Sequence, residues 1–294
     1  MEDMIVVQGL SQFYGKKQAL RDVTLTVEKG MFGLLGRNGA GKTTLMRTLA
    51  ALLPVARGSV AVCGVSAGET GKIRRMIGYL PQDFSMYPSM TVEGALDYLG
   101  ILSDVPKETR RKRIPELLER VNLTEQRGKR IKALSGGMKR RLGIAQALLH
   151  EPPVLIVDEP TAGLDPEERV RFRNLLCETA EDRIVILSTH IVGDVEAACS
   201  NAAILDEGRL IWNGSVESLL KAAEGRVFSC TVPRKELPLL QEHYIVTEIS
   251  ARGSESDVRL LAPEGMAVPA QARAAEPSAE DAYLYCLCRC GGER

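Results

Sequence analysis

With 294 residues and 38 basic against 38 acidic side chains, the chain carries no formal net charge, which excludes a global field drawing it to nucleic acid or to an anionic membrane surface. Hydrophobic residues at 45% support a buried core, enough for one large domain with an appendage or for two domains. Seven scattered cysteines (63, 177, 199, 230, 286, 288 and 290) and a start, "MEDMIVVQGL", with acids in place of a basic leader argue for reduced thiols and against a secretion signal.

In chain order, "MIVVQGL" and "ALRDVTLTV" read as early strands and "MFGLLG" as a short buried one. A glycine loop follows, then "TTLMRTLAALL", in which Leu45, Leu49 and Leu52 stand at helical spacing. Further strands are "SVAVCG", "MIGYLPQ", "VLIVDEP" and "IVILSTH". From about Thr91 to Leu149 strand signals are lacking and helix dominates. There "PKETRRKRIPELLERV" reads as a loop running into an amphipathic helix with Leu117, Leu118 and Val121 on its apolar face. "NAAILDEGRLIWNG" is a hairpin turning at Asp206-Glu207-Gly208. Beyond about Glu224 the strands "RVFSCTVP", "YIVTEIS" and "DVRLLAP" suggest a small second domain, and "EGMAVPAQARAAEPSAED" a loose connection. Alternating strands and helices make this an α/β chain. The longest apolar runs, "VLIV" and "IVIL", are far shorter than a bilayer span, so a cytosolic chain is expected unless a partner carries it to a membrane.

The segment "GRNGAGKTT" (Gly36, Arg37, Asn38, Gly39, Ala40, Gly41, Lys42, Thr43 and Thr44) fits the pattern G-x-x-x-x-G-K-[ST] between a strand and a helix. Its glycines let successive amides turn toward phosphate oxygens, and the start of the following helix adds its positive end. Lys42 is expected at the β- and γ-phosphates, and the Thr43 hydroxyl on Mg²⁺. "VLIVDEP" sets Asp158 and Glu159 at the carboxyl edge of an apolar strand, where open parallel sheets bind ligands. Asp158 is read as a direct or indirect partner of Mg²⁺, and Glu159 as the base that polarises water for attack on the γ-phosphate.

Two other strand ends carry polar groups. Gln82 ends "MIGYLPQ" and is a candidate for Mg²⁺ or the attacking water, although a strand-end glutamine alone is weak evidence. His190 follows "IVILST". A lone histidine is more often structural, but this one shares an edge with Glu159 and is a candidate for the γ-phosphate. Tyr14 offers a ring on which adenine could stack, against the default of an ordinary surface aromatic.

The ordered set Tyr14, "GRNGAGKTT", "YLPQ", "LSGG", "VLIVDEP", "AGLDP" and "STH" resembles the nucleotide-binding subunit of ATP-binding cassette (ABC) transporters, from the start of the chain to about Gly214. The resemblance implies a P-loop NTPase cassette at 1–223, made of an antiparallel β subdomain, a RecA-like α/β core and a helical subdomain at about 84–150. A small α+β domain at 224–294 completes the chain. It also implies Mg²⁺-ATP as cofactor, Glu159 as catalytic base, His190 on the γ-phosphate and Gln82 in a loop that links ATP to membrane subunits. Asp165 would contact an opposite subunit. The stretch "LSGGMKRRLGIAQALL" with "DEPTAGLDPEER" and the tail "PSAEDAYLY" resembles the exporter branch, in which ATPase and membrane subunits are separate chains. Met138 stands where the commonest signature of the family has glutamine, so any role of that side chain is absent here.

"LSGG" poses the question of a second anion-binding turn. Ser135 can cap the following helix, whose Leu142, Ala145 and Leu149 face a core, and the helix start then presents amides to an anion. By resemblance, Ser135, Gly136 and Gly137 close over ATP held by a second nucleotide-binding subunit, identical or paralogous. The implied partners are therefore that subunit and one or more polytopic membrane subunits at the cytoplasmic face of the membrane, with no nucleic acid. A soluble ABC-type ATPase acting on ribosomes or nucleic acid is the alternative. Such relatives carry paired cassettes, a long coiled coil or zinc modules, none of which is seen. A third possibility, a regulatory module that binds ATP without hydrolysing it, is disfavoured by the presence of both Glu159 and His190. Finally, Cys286, Cys288 and Cys290 have metal-like spacing, but no matching cluster lies near, and a strand end with thiols on one face is the plainer reading.

Overall fold

The computed structural model describes residues 3–161, 164–262 and 265–291. The chain divides into two compact units, Met1–Leu210 and Ile211–Arg294.

The first unit opens with β1 (Met4–Tyr14), β2 (Lys17–Glu28) and β3 (Gly30–Leu35), followed by α1 (Lys42–Leu49). Next come β4 (Arg57–Val62), β5 (Val65–Ser66), α2 (Thr70–Met76) and β6 (Ile77–Leu80). Three helices then run without an intervening strand: α3 (Val92–Leu102), α4 (Lys107–Arg120) and α5 (Gly136–Leu148). The unit closes through β7 (Val154–Asp158), α6 (Pro166–Ala180), β8 (Ile184–Thr189), α7 (Val192–Ala198), β9 (Asn201–Asp206) and β10 (Arg209–Ser215). The division between units falls within this last strand.

Two sheets follow from two patterns of apolar residues. In β2 buried and exposed positions alternate from Val23 onward, as expected of an antiparallel strand with one solvated face. It pairs with β1 in the sheet β2-β1-β4-β5. By contrast, every residue of β7 and β8 is buried. Such strands need cover on both faces, which parallel crossovers supply. They lie at the centre of the order β9-β3-β8-β7-β6, parallel throughout, with β10 at its edge. Helices α6 and α7 pack on β3 and β8, while α1 contacts β7.

Two helices differ from expectation. The first ends at Leu49 because Ala51 turns left-handed (φ 51°), which leaves Leu52 half exposed instead of continuing the apolar face. The fourth needs no preceding loop. It starts directly after Pro106 and runs through Pro115. A proline there costs a backbone hydrogen bond. Burial of Ile114, Leu117 and Leu118 offsets that loss, as does Arg110, which donates to Asp97 Oδ1 (2.7 Å) and the Val105 carbonyl (2.6 Å).

The second unit contains α8 (Val216–Ala222), β11 (Val227–Pro233), α9 (Leu237–His243), β12 (Ile245–Arg252), β13 (Glu255–Leu261), β14 (Arg273–Ala274) and α10 (Ala279–Gly291). Its sheet has the order β12-β13-β11-β14, antiparallel throughout. Cys230, Val232, Val258 and Leu260 form a small apolar core on which Leu237 and Leu240 of α9 pack. Helix α8 groups with this unit, ahead of the expected boundary at 224, because it packs against α10. The cysteine-rich tail is helix, not strand. In a helix, residues two apart point to different sides, so Cys286, buried, and Cys288, half-buried, do not share a face. The side chain of Cys290 lies outside the described residues, among which no cluster of three His, Cys, Asp or Glu side chains suits a metal.

Candidate nucleotide site

Strands β3, β6, β7 and β8 run parallel, so their carboxyl ends share one edge of the sheet. The glycine loop follows β3, Gln82 follows β6, Asp158 ends β7 and His190 follows β8. Gly41 caps α1 with a left-handed backbone (φ 108°) and no side-chain cap, so the first amides of α1 are left for a ligand. A Cβ on Gly41 would lie 2.8 Å from Leu20 Cδ2, so both its backbone angle and its surroundings demand glycine. The β9–β10 turn braces this loop: Gly208 N–H donates to the Ala40 carbonyl (2.9 Å), and the Arg21 amide donates to the Gly208 carbonyl (2.7 Å).

A cavity of about 590 Å³ opens over the loop. Of the residues singled out from sequence, Tyr14, Arg37, Asn38, Gly39, Gly41, Lys42, Thr43, Thr44, Gln82 and Glu159 line it. Ala40 does not: its methyl is buried and its amide bonds the Arg37 carbonyl (3.1 Å). Gly36 also lies behind the wall and contributes its carbonyl to Lys42. Lys17, Gln18, Ala19, Arg21 and Glu207 line the same cavity and were missed in the sequence. The available signal was Gly15 after Tyr14, a turn (φ 58°) that folds the start of β2 back beside Tyr14.

The acids are held tightly. Lys42 Nζ donates to the carbonyls of Gly36 (2.7 Å) and Arg37 (3.2 Å) and stands 3.1 Å from Glu159 Oε1. That last approach is a charge contact, because no aligned hydrogen bond from the described residues reaches Oε1. Oε2 of Glu159 meets His190 Nδ1 at 2.6 Å. Glu159 is left-handed (φ 47°), a conformation costing a carboxylate residue ~1–2 kcal/mol and retained here beside the cavity. Asp158 is fully buried and accepts from Ser188 Oγ (3.1 Å) through Oδ1, whereas no aligned hydrogen bond reaches Oδ2 from the described residues. Burial pushes its carboxyl above the usual range and the Glu159 charge adds to this, while the Thr43 and Ser188 hydroxyls and the Lys42 ammonium partly offset it. An orphaned, buried, hard oxygen beside a threonine hydroxyl fits a divalent cation that keeps most of its ligands as water and phosphate.

Asp194, on α7, also escaped the sequence reading. It is buried, accepting from Thr161 Oγ1 (2.9 Å) and Arg169 Nε (2.8 Å), and so ties the chain just after Glu159 to α6 and α7. Asp194→Ala is expected to destabilise the chain by about 2 kcal/mol, read from the urea midpoint, since it leaves a buried hydroxyl and a half-exposed guanidinium unpaired.

Ser135, Gly136, Gly137 and Asp165 are not part of the cavity wall. Ser135 Oγ accepts from the Met138 amide (3.2 Å) and Asp165 Oδ1 from the Glu168 amide (2.9 Å), so each caps its helix, α5 and α6. Ser135, Gly136 and Asp165 are exposed. Ala162 and Gly163 of "AGLDP" lie outside the described residues.

A family model described as ABC transporter matches residues 20–162. The chain is 38% identical over 247 residues to the uncharacterized ABC transporter ATP-binding protein YxlF of Bacillus subtilis (strain 168), across 84% of this chain and 82% of that protein. It belongs to the ATP-binding subunits of ABC transporters. The cassette is also 37% identical over 223 residues to the Nod factor export ATP-binding protein I of Ralstonia nicotianae, covering 74% of this chain and 68% of that one. Its fold matches the dimeric structure of a bacterial ABC transporter cassette with a TM-score of 0.66 and 26% identity, over 72% of this chain and 98% of the other. This ABC subunit is therefore an ATPase with the P-loop cassette fold, and its antiparallel C-terminal sheet is an addition to that fold. No helix among its described residues is long and apolar enough to cross a membrane.

Proposed function

We propose that this cassette pairs with a second one around two ATP molecules and powers export through separate polytopic membrane subunits at the cytoplasmic face. The observation that carries the reading is the one-sided site. The phosphate loop, Glu159 and Tyr14 face one cavity, while Ser135, Gly136 and Asp165 stand exposed off its wall. In the pair, those residues meet the nucleotide of the other cassette. The solved relative is a dimer, and one relative is named for Nod factor export, which supports pairing and the outward direction.

In the site, Tyr14 stacks on adenine and the amides opening α1 hold phosphate oxygens together with Lys42. Glu159 takes a proton from the attacking water at its carboxylate, and His190 orients that carboxylate through Nδ1 and reaches the γ-phosphate. Thr43 and Asp158 Oδ2 would hold Mg²⁺, with Gln82 as a further polar group; when bound, Mg²⁺ neutralises phosphate charge. The membrane subunit docks beside Gln82, where Phe84, Met86, Pro88, Ile131 and Leu142 line an apolar groove and Tyr87, between two of them in sequence, is exposed. Purification from detergent-solubilised membranes is expected to bring down a polytopic membrane protein. Recovery of ribosomes or DNA alone would overturn the reading.

A further inference from the structure

The two exposed elements expected to meet the second nucleotide, Ser135–Gly137 and Asp165, lie far apart in sequence, on α5 and ahead of α6. One side chain joins them. Glu168, in the first turn of α6, packs on Gly137 so closely that a Cβ there would fall 2.7 Å from its Oε2. Its own amide bonds Asp165 Oδ1. One turn along α5, Arg141 Nη2 donates to Glu168 Oε1 (3.3 Å), and Arg141 Nε stands 3.3 Å from Oε2 without hydrogen-bond alignment. The same guanidinium donates to the carbonyls of Val121 and Asn122 at the end of α4 (3.1 Å each). The side chains of Arg141 and Glu168 are 8% and 20% exposed, so solvent screens the pair only in part.

We infer that Glu168 is a positioning residue for the reaction. Through Gly137 and Arg141 it sets where the Ser135–Gly137 turn stands relative to Asp165, so that both reach the nucleotide of the other cassette as one unit. The inference rests on the paired-cassette reading. It explains why position 137 takes glycine: no positive φ is needed there, but the carboxylate of Glu168 fills the space a methyl would occupy. It also explains an acid that the ATP cavity does not use.

The test uses the full chain carrying Glu159→Gln, with ATP-dependent dimerisation followed by light scattering over a concentration series. Adding Glu168→Ala is expected to raise the concentration for half-dimerisation about tenfold. Affinity of the single chain for a fluorescent ATP analogue stays unchanged, which also reports that the fold is intact. Gly137→Ala is expected to weaken pairing as well, and the double variant Gly137→Ala with Glu168→Ala to be no worse than Glu168→Ala alone, because removing the carboxylate makes room for the methyl. Glu168→Ala dimerising like its parent, additive losses in the double variant, or a fall in single-chain ATP affinity would each overturn the inference. Failure of the Glu159→Gln parent itself to dimerise with ATP is a separate outcome that refutes the paired-cassette reading and this inference with it.

Discussion

Glu159→Gln is expected to slow ATP turnover by about 10²–10⁴-fold while the nucleotide stays bound, with ATP-loaded dimers accumulating in light scattering. Two features of the site combine in that result. The substitution keeps the side-chain volume in a position that is buried and left-handed, so the turn after β7 is preserved. It removes the carboxylate proposed to take up a proton, and it also removes the negative charge 3.1 Å from Lys42 Nζ. The ammonium, left with the Gly36 and Arg37 carbonyls, turns its full charge to the phosphates. Tighter binding and slower hydrolysis therefore arise from one atom change. A variant that remains monomeric with ATP would count against pairing, and one that retains full turnover would exclude Glu159 as the base.

Lys42→Ala should act on the other side of the same contact. Truncating one partner of a hydrogen-bonded charge pair costs about 2–5 kcal/mol, which is a loss of roughly thirtyfold or more in ATP affinity. Titration calorimetry checks this directly, and an affinity equal to that of the parent would refute the phosphate-loop assignment. The variant also leaves Glu159, whose side chain is 6% exposed, without that ammonium, while His190 Nδ1 stays 2.6 Å from its other oxygen. A fall in thermal midpoint should accompany the loss of binding, as removing one partner leaves a buried charge uncompensated.

Much of the site was legible because its chemistry is local. The loop from Gly36 to Thr44 needs glycines, a lysine and hydroxyls within one turn between a strand and a helix, so spacing alone marks it. Asp158 and Glu159 were legible because a strand buried on both faces reads as an unbroken apolar run, and its last residues must lie at the sheet edge. What lay beyond reach was lateral. Lys17, Gln18 and Arg21 enter the cavity through the Tyr14–Lys17 hairpin, signalled only by the turn at Gly15, and Glu207 through a turn docked on Ala40. Ala40 was taken with its neighbours; it does not line the cavity, because a tight turn faces only some of its residues to one side. Likewise alternate cysteines near the end looked like a strand because periodicity two was the visible pattern, whereas packing of α10 on α8 made the segment a helix.

Read alone, the sequence determined the order of the motifs, the α/β class, and which groups are candidates to hold phosphate and to activate water, since each is written in residues a few positions apart. Only the tertiary structure decided which groups meet at one carboxylate: Lys42 and His190 at Glu159, Thr161 and Arg169 at Asp194, Gly137 and Arg141 at Glu168. These meetings depend on strand order and helix packing, where contacts between residues distant in the chain are set by burial of whole faces and leave no local pattern.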